Sequence, residues 1–261
     1  MARRKIEGST AIVTGASAGI GSALARELAA TGARVVLVAR REDRLRELAE
    51  EIATAGGTAE YVAGDITLPA TREAALARAV DRFGGLDILV NNAGVGAMGP
   101  FQTADPDRLR RIFEVNFFAP LEMIRSALPV LEEAARPIIV NVASILGHVG
   151  LPNVSEYSAS KFALRGFSEV LRAELFKKRI DVMVVSPATV DSEMWTSLLE
   201  DTGASSWRAR RGSTPEQIAA KTVRAIRRGR REVFPGFVPK FARFFNRLSP
   251  AAVAWVMARR H

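Results

Sequence analysis

The chain of 261 residues has no cysteine, two tyrosines and two histidines, and these shortages exclude several kinds of chemistry. Without cysteine there is no disulfide, no thiolate nucleophile and no cysteine-ligated zinc. With so few histidines we expect no metal site. No apolar run approaches the roughly 20 residues of a membrane span, and the N-terminal segment shows no apolar signal region. We therefore expect a cytoplasmic protein.

Acidic residues are scarce towards the C-terminus, so the net charge of +9 is unevenly placed. Residues 1–202 hold 23 Lys and Arg against 26 Asp and Glu, a net charge of −3. Residues 203–261 hold 14 against 2, a net charge of +12. An anionic membrane surface would suit such a segment, and so would nucleic acid. Because no nucleic-acid recognition motif accompanies the charge, we expect no nucleic-acid partner.

Short apolar runs alternate with helical patterns along the chain, which predicts a parallel sheet covered by helices on both faces. The sequence therefore predicts an α/β fold, a Rossmann-type doubly wound sheet of about seven strands with a C-terminal helical extension. We assign residues 1–234 to a catalytic domain that binds a dinucleotide and residues 235–261 to the extension. The predicted strands lie at residues 10–15, 34–39, 59–65, 87–94, 137–144, 181–187 and 231–234.

A glycine cluster, "TGASAGIG", follows the first predicted strand and opens the first predicted helix. Gly15 allows a tight turn, and Gly19 and Gly21 remove side chains where a backbone must approach a ligand. The amino end of the helix offers unpaired N–H groups to a phosphate. A flexible turn would also explain the glycines, but dinucleotides bind at this first β–α turn.

The second predicted strand ends in "LVARRED", without an acidic residue at its tip. An acid there would bind the ribose 2′-hydroxyl of NAD. A guanidinium instead suits the 2′-phosphate of NADP. Arg40 is therefore our candidate for NADP(H), with a pair of solvated arginines, Arg40 and Arg41, as the alternative.

"YSASK" places Tyr157 four residues before Lys161 on a predicted helix, so the two side chains share a face. A free tyrosine has a pKa of about 10 and is a poor acid or base near neutral pH. A nearby cation favours tyrosinate and would lower the pKa of Tyr157. Ser144 ends the fifth predicted strand, where its hydroxyl can hydrogen-bond a substrate oxygen. A plain amphipathic helix surface is the alternative for "YSASK" alone.

Four features together, "TGASAGIG", "NNAG" at 91–94, Ser144 and "YSASK", resemble the short-chain dehydrogenase/reductase family over roughly residues 8–234. The resemblance implies that Tyr157 is the general acid/base and that Ser144 orients the carbonyl. Lys161 would also bind the nicotinamide ribose. Asn116 would hold a water in the proton relay.

The resemblance also implies cofactor contacts and an assembly. Asp65 and Asn91 match adenine-side contacts, Gly94 closes "NNAG", and Ser17 and Ile20 lie in the phosphate-binding turn. Val190 and Ser192 would contact the carboxamide, although Ala188 replaces the family's usual glycine after Pro187. A homodimer or homotetramer is expected.

Substrate contacts are expected from three segments rich in apolar residues, 96–101, 145–154 and 188–213. No convergent set of charges suits a small acid or a sugar phosphate, so a small hydrophobic carbonyl or alcohol is expected. His148, four residues after Ser144, could be a second catalytic group, but a residue of the pocket rim or surface is favoured.

The C-terminal extension has a phenylalanine-rich stripe and a separate cationic stripe. A basic amphipathic helix of this kind suggests peripheral contact with an anionic membrane. Packing on its own domain or across a dimer interface is the alternative. The apolar positions are Phe237, Phe241, Phe244, Phe245 and Leu248, and the basic ones are Lys240, Arg243 and Arg247.

Taken together, the sequence predicts an NADP(H)-dependent oxidoreductase that transfers a hydride between the nicotinamide and a hydrophobic ketone or secondary alcohol. The alternative is a catalytically weak, cofactor-binding regulatory or membrane-associated protein on the same fold.

Overall fold

Seven parallel strands form one sheet in the computed structural model, in the order β3-β2-β1-β4-β5-β6-β7. The structure describes residues 4–188, 190 and 212–235, and in the C-terminal segment residues 245, 246, 248, 249, 251, 252, 255 and 259. The strands are β1 (Thr10–Thr14), β2 (Arg34–Ala39), β3 (Thr58–Ala63), β4 (Ile88–Asn91), β5 (Ile138–Val142), β6 (Asp181–Val185) and β7 (Glu232–Val233). The predicted doubly wound α/β fold is confirmed.

Helices of the described chain cover both faces of this sheet. They are α1 (Gly19–Ala30), α2 (Glu42–Thr54), α3 (Pro69–Phe83), α4 (Pro106–Phe113), α5 (Ala119–Glu132), α6 (Ser155–Glu174) and α7 (Pro215–Arg227). One apolar cluster packs α1, α2 and α7 on one face, and a second packs α3, α5 and α6 on the other. Both faces are therefore buried, which is why a central strand such as β1 is buried at every residue.

The helical stretch from Pro106 to Glu132 is not one continuous α-helix. A π-helical turn, Glu114–Phe118, separates α4 from α5. Asn116 lies inside this turn, fully buried, with its side chain bonded to the backbone of Val95. Such turns are frequent at functional sites because they redirect one side chain.

The carboxyl ends of the parallel strands meet at one edge of the sheet. The strand order reverses between β1 and β4, and ligands bind at such a switch point. In the C-terminal segment, helical residues are found at 245, 246, 248, 251, 252 and 255. Among the described helices, none is both long and apolar enough to cross a membrane.

Candidate active site

The β1–α1 turn approaches the segment after β4 so closely that only glycine fits. Gly15 has a φ of +67°, and a Cβ there would lie 2.8 Å from Ala93 Cα. A Cβ on Gly21 would lie 2.2 Å from the carbonyl oxygen of Gly15. Gly19 also has a positive φ, at the start of α1. The geometry fits a phosphate cradle, because backbone N–H groups at the amino end of α1 face a turn without bulky side chains.

Two residues that sequence reasoning missed hold this turn in place. The Asn92 Nδ2 donates to the carbonyls of Thr14 and Gly15, at 2.9 and 3.3 Å. The Thr14 Oγ1 accepts from the backbone N–H groups of Asn92 and Ala93. Asn92 is the second asparagine of "NNAG" and directly follows β4, which pairs with β1. This position was the sequence signal for its contacts with the turn.

The two arginines after β2 have different neighbours, and both are exposed. Arg41 donates through Nε and Nη2 to the Ser17 Oγ, at 3.2 and 3.1 Å. Arg40 lies near enough to Asp65 for its charge to help lower the pKa of that carboxyl. The sequence prediction named Arg40 alone, whereas Arg41 is the arginine that contacts the phosphate turn.

The two predicted adenine-side residues also make contacts within the protein. The Asp65 Oδ1 accepts from the backbone N–H and the hydroxyl of Thr67. The backbone N–H of Thr67 is the main cause that lowers the pKa of Asp65. The Asn91 Nδ2 is buried and donates to the Asn141 Oδ1 at 2.9 Å. Contact of either residue with adenine stays a prediction.

Tyr157 and Ser144 come together as predicted from their places on α6 and after β5. The two side chains share a hydrogen bond that favours tyrosinate, but burial is the larger effect and raises the pKa of Tyr157 to about 12. The expected lowering of the Tyr157 pKa is therefore wrong for the protein alone. A phenol with this pKa stays protonated near neutral pH and is ready to donate a proton.

Lys161 is buried one helical turn beyond Tyr157. Its Nζ donates to the Val142 carbonyl at 3.0 Å and lies 5.7 Å from the centre of the Tyr157 ring. Burial lowers the pKa of Lys161 to about 8. Most Lys161 side chains are thus protonated at neutral pH, and this charge lies next to Tyr157 and the backbone of β5.

Asn116 and Gly94 adjoin this lysine. A Cβ on Gly94 would lie 3.2 Å from Asn116 Oδ1 and 3.5 Å from Lys161 Nζ. The Asn116 Nδ2 donates to the Val95 carbonyl and the Ser160 Oγ, at 2.9 and 3.0 Å. Both hydrogens of this amide are used inside the protein, so the water-holding role of Asn116 stays a prediction.

An apolar cluster lines the side of Tyr157. Met98, Leu146 and Val154 are buried together, and three partly buried residues pack against them, namely Ile145, Leu151 and Tyr157. These residues come from the predicted segments 96–101 and 145–154. Phe101 is 68% exposed and lies outside this cluster.

His148 is buried, so the surface part of the expectation is wrong, and the pocket-rim alternative stays a prediction. Its Nε2 lies 2.9 Å from Glu232 Oε1 and 3.1 Å from Ser186 Oγ. These partners follow β6 and begin β7, far along the chain. Sequence reasoning had no local signal for them.

The loop after β6 is described in part. Val190 forms a parallel bridge with Ser213. Ala188, which replaces the family's usual glycine, does not have a positive φ and so has no left-handed backbone strain. In the described chain the non-glycine residues with a positive φ are Asn153 and Arg179. Ser192 and most of the predicted substrate segment 188–213 lie outside the described residues.

The burial of Lys161 predicts a pH-dependent stability for the cofactor-free protein. Between pH 8 and 10.5 the unfolded chain still binds a proton on this lysine and the folded chain does not. Stability from this group therefore rises with pH there, by at most about 1.4 kcal/mol per unit. Lys161→Met lacks this rise, so wild type gains about 2 kcal/mol relative to the variant between pH 7.5 and 9.5.

Urea unfolding of both proteins at the two pH values measures that gain. Lys221→Met, at an exposed position on α7, is the matched control and should track wild type. A constant difference between wild type and Lys161→Met would contradict the lowered pKa.

Comparison with known proteins agrees with this geometry. The family model "short chain dehydrogenase" matches residues 9–203. "Dehydrogenase/reductase SDR family protein 7-like" from Anopheles gambiae is 31% identical, over 98% of this chain and 84% of that protein. "Ketoacyl reductase HetN" from Nostoc is 34% identical, over 87% and 78%.

Two solved structures are also similar. A Burkholderia phymatum short-chain dehydrogenase/reductase in complex with NAD has a TM-score of 0.83 at 26% identity, covering 89% of this chain and 90% of that one. A metagenomic short-chain oxidoreductase in complex with NADP has a TM-score of 0.74 at 32% identity, covering 90% and 100%. With a family model over most of its length and the Ser144, Tyr157 and Lys161 constellation in place, this chain belongs to the short-chain dehydrogenase/reductase family.

Proposed function

We propose that the protein is an NADP(H)-dependent oxidoreductase acting on a hydrophobic ketone or secondary alcohol. The observation that carries this proposal is the placement of the Ser144 and Tyr157 hydroxyls against an apolar wall built around Met98, Leu146 and Val154. Hydroxyl groups bind the reacting oxygen, and the wall suits an apolar substituent beside it.

The chain's own residues divide the work of a carbonyl reduction. The Gly15–Gly21 turn and Lys161 would hold NADPH, which would supply the hydride to the carbonyl carbon. Ser144 hydrogen-bonds the carbonyl oxygen as negative charge develops on it. Tyr157 donates the proton to that oxygen, and the Lys161 charge stabilises the tyrosinate left behind.

NADP(H) is preferred in this proposal because of the charge beside the phosphate turn. Arg40 and Arg41 follow β2 directly, and α2 begins after them with Glu42. Both arginines are exposed, and Arg41 already contacts Ser17 of the turn. The relatives support either dinucleotide, since one solved neighbour holds NADP and another holds NAD.

The first test is reduction of 2-decanone with NADPH by wild type and Tyr157→Phe. The variant keeps the buried ring and loses the proton donor, so kcat should fall by about 10²–10⁴-fold. The Kd for NADPH should stay within about threefold. Activity of the variant within tenfold of wild type would show that Tyr157 is not the acid. A wild type that turns over no carbonyl of a broad panel would favour the catalytically weak alternative.

The second test concerns the 2′-phosphate. Arg40→Asp should weaken NADPH far more than NADH, because a charged hydrogen bond contributes about 1.5–3 kcal/mol, roughly a 10–150-fold change in Kd. Arg41→Asp is the matched comparison, since it changes the same charge at the next position. Titration of both cofactors by quenching of tryptophan fluorescence measures the four affinities. Equal losses for NADPH and NADH in Arg40→Asp would remove Arg40 from the 2′-phosphate site.

We also propose that the C-terminal segment contacts an anionic membrane. Much of the +12 charge lies before this segment, because nine of the 14 Lys and Arg of residues 203–261 precede residue 235. Residues 235–261 themselves carry five Lys and Arg and no acid. Leu248 and Trp255 are 66% and 56% exposed on this segment, which favours a surface contact over core packing. The predicted Phe241 lies outside the described residues.

Vesicle flotation tests this contact. Wild type should float with anionic phosphatidylserine vesicles at low salt and lose binding as salt screens the charge. Leu248→Ser with Trp255→Ser should reduce flotation at any salt, with an unchanged melting temperature. Val170→Ser, exposed on α6, is the control. A melting temperature lowered by several degrees without loss of flotation would support packing instead.

The homodimer or homotetramer and the cytoplasmic location stay predictions, and sedimentation would give the mass of the assembly.

A further inference from the structure

A buried polar cluster lies behind the turn that carries Ser144. His148 ends this turn and is 6% exposed. Its Nε2 lies 2.9 Å from Glu232 Oε1 of β7 and 3.1 Å from Ser186 Oγ after β6. Its Nδ1 lies 3.4 Å from a guanidinium nitrogen of Arg165 on α6. The Phe234 ring packs on the imidazole with centroids 5.2 Å apart.

A neutral imidazole with its proton on Nε2 satisfies every one of these contacts. Nε2–H then donates to the Glu232 carboxylate or the Ser186 hydroxyl, and Nδ1 accepts from Arg165. His148 therefore acts as a hydrogen-bonded bridge between α6, β6 and β7. Burying such a polar side chain is costly unless it is bonded in this way.

The same residue is joined to the C-terminal segment through its backbone. The Asn246 Nδ2 donates to the His148 carbonyl at 2.8 Å. This contact links residues 98 positions apart. The C-terminal segment thus contacts the end of the Ser144 turn through the His148 carbonyl. The imidazole of the same residue contacts β7.

The turn itself, residues 144–149, is closed by short backbone bonds. The Ile145 N–H donates to the Pro187 carbonyl, and the N–H groups of His148 and Val149 donate to the Ile145 carbonyl. The Leu146 N–H donates to the Ser144 Oγ at 3.1 Å. A movement of His148 is therefore transmitted along one helical turn to the catalytic hydroxyl and to Leu146 of the apolar wall.

We propose that His148 is a positioning residue through which β7 and the C-terminal segment set the Ser144 turn. Glu232 and Asn246 fix the imidazole and the carbonyl of His148, and His148 fixes the turn. The consequence for substrates rests on the function proposed above. The consequence for the turn itself is a property of the protein alone, and it can be measured without a substrate.

Hydrogen exchange of the backbone amides at 145–149 is the direct test, read by mass spectrometry on the cofactor-free protein. His148→Leu removes both nitrogens, and these amides should exchange at least tenfold faster than in wild type. His148→Gln keeps a donor near the Nε2 position and should restore protection to within about threefold. Thr222→Val is the matched control, because its buried hydroxyl has no partner and lies on α7, away from the turn. It should leave exchange at 145–149 unchanged.

Two milder variants test the connections and guard against misfolding. Glu232→Gln keeps the shape of the side chain and removes its charge, and Asn246→Ala removes the bond to the His148 carbonyl. Each should speed exchange at 145–149 by at least threefold. With 2-decanone each should raise KM more than it lowers kcat, while the Kd for NADPH stays within twofold.

The outcomes separate this inference from the proposed function. If Glu232→Gln and His148→Leu leave exchange at 145–149 within twofold of wild type, the positioning role is overturned. Faster exchange across the whole protein, with a matching fall in melting temperature, would also overturn it in favour of general stability. No turnover of 2-decanone by wild type would count against the proposed substrate class, whereas the exchange result would still decide the role of His148.

Discussion

A ladder of buried amides fixes the register on which the site depends. Asn91 and Asn141 are paired across β4 and β5, and the Asn91 Nδ2 donates to the Asn141 Oδ1. The Asn141 Nδ2 continues to the Ser168 Oγ on α6 at 2.9 Å. The three elements so joined carry Gly94, Ser144 and the Tyr157–Lys161 pair. A one-residue slip of a strand would unpair a buried amide and also turn its side chains to the other face. The ladder therefore favours one alignment of these groups.

Within that alignment the protein accepts a buried cation beside a partly buried phenol. Both groups have pKa values shifted by burial in the direction that disfavours charge, to about 12 for Tyr157 and about 8 for Lys161. The lysine is held by the Val142 carbonyl and crowded by the backbone of Gly147, where a Cβ would lie 2.7 Å from the Lys161 carbonyl. The pKa values of these two groups respond strongly to a charge placed nearby, because burial makes each electrostatic contact stronger than in water. Destabilised, desolvated groups of this kind cluster at functional sites.

The sequence was sufficient for the strands and for the edge of the sheet at which the chemistry lies. Short apolar runs predicted the strands, because a sheet buried on both faces favours continuous apolar segments. The motif spacing likewise placed Ser144 and Tyr157 at the carboxyl edge. Helical periodicity did not reveal the π turn at Glu114–Phe118, because α4, this turn and α5 follow one another without a break in the helical run. Asn116 in that turn accepts a hydrogen bond from the backbone N–H of Val95, which lies 21 residues earlier in the chain.

The buried contacts that the sequence did not predict share one physical origin. Sequence spacing predicts which polar side chains reach an edge, but not which of them bind each other there. The Asn91 amide hydrogen-bonds a partner 50 residues away, which its place in "NNAG" did not indicate, while its contact with adenine stays a prediction. His148 was predicted at the pocket rim or the surface, yet it is buried and its partner Glu232 lies on the last strand. In both cases a buried polar group must find a protein partner, because an unmet hydrogen bond in the interior costs about 1–3 kcal/mol. That requirement acts between distant elements of the fold, so it becomes visible only when the strand order is known.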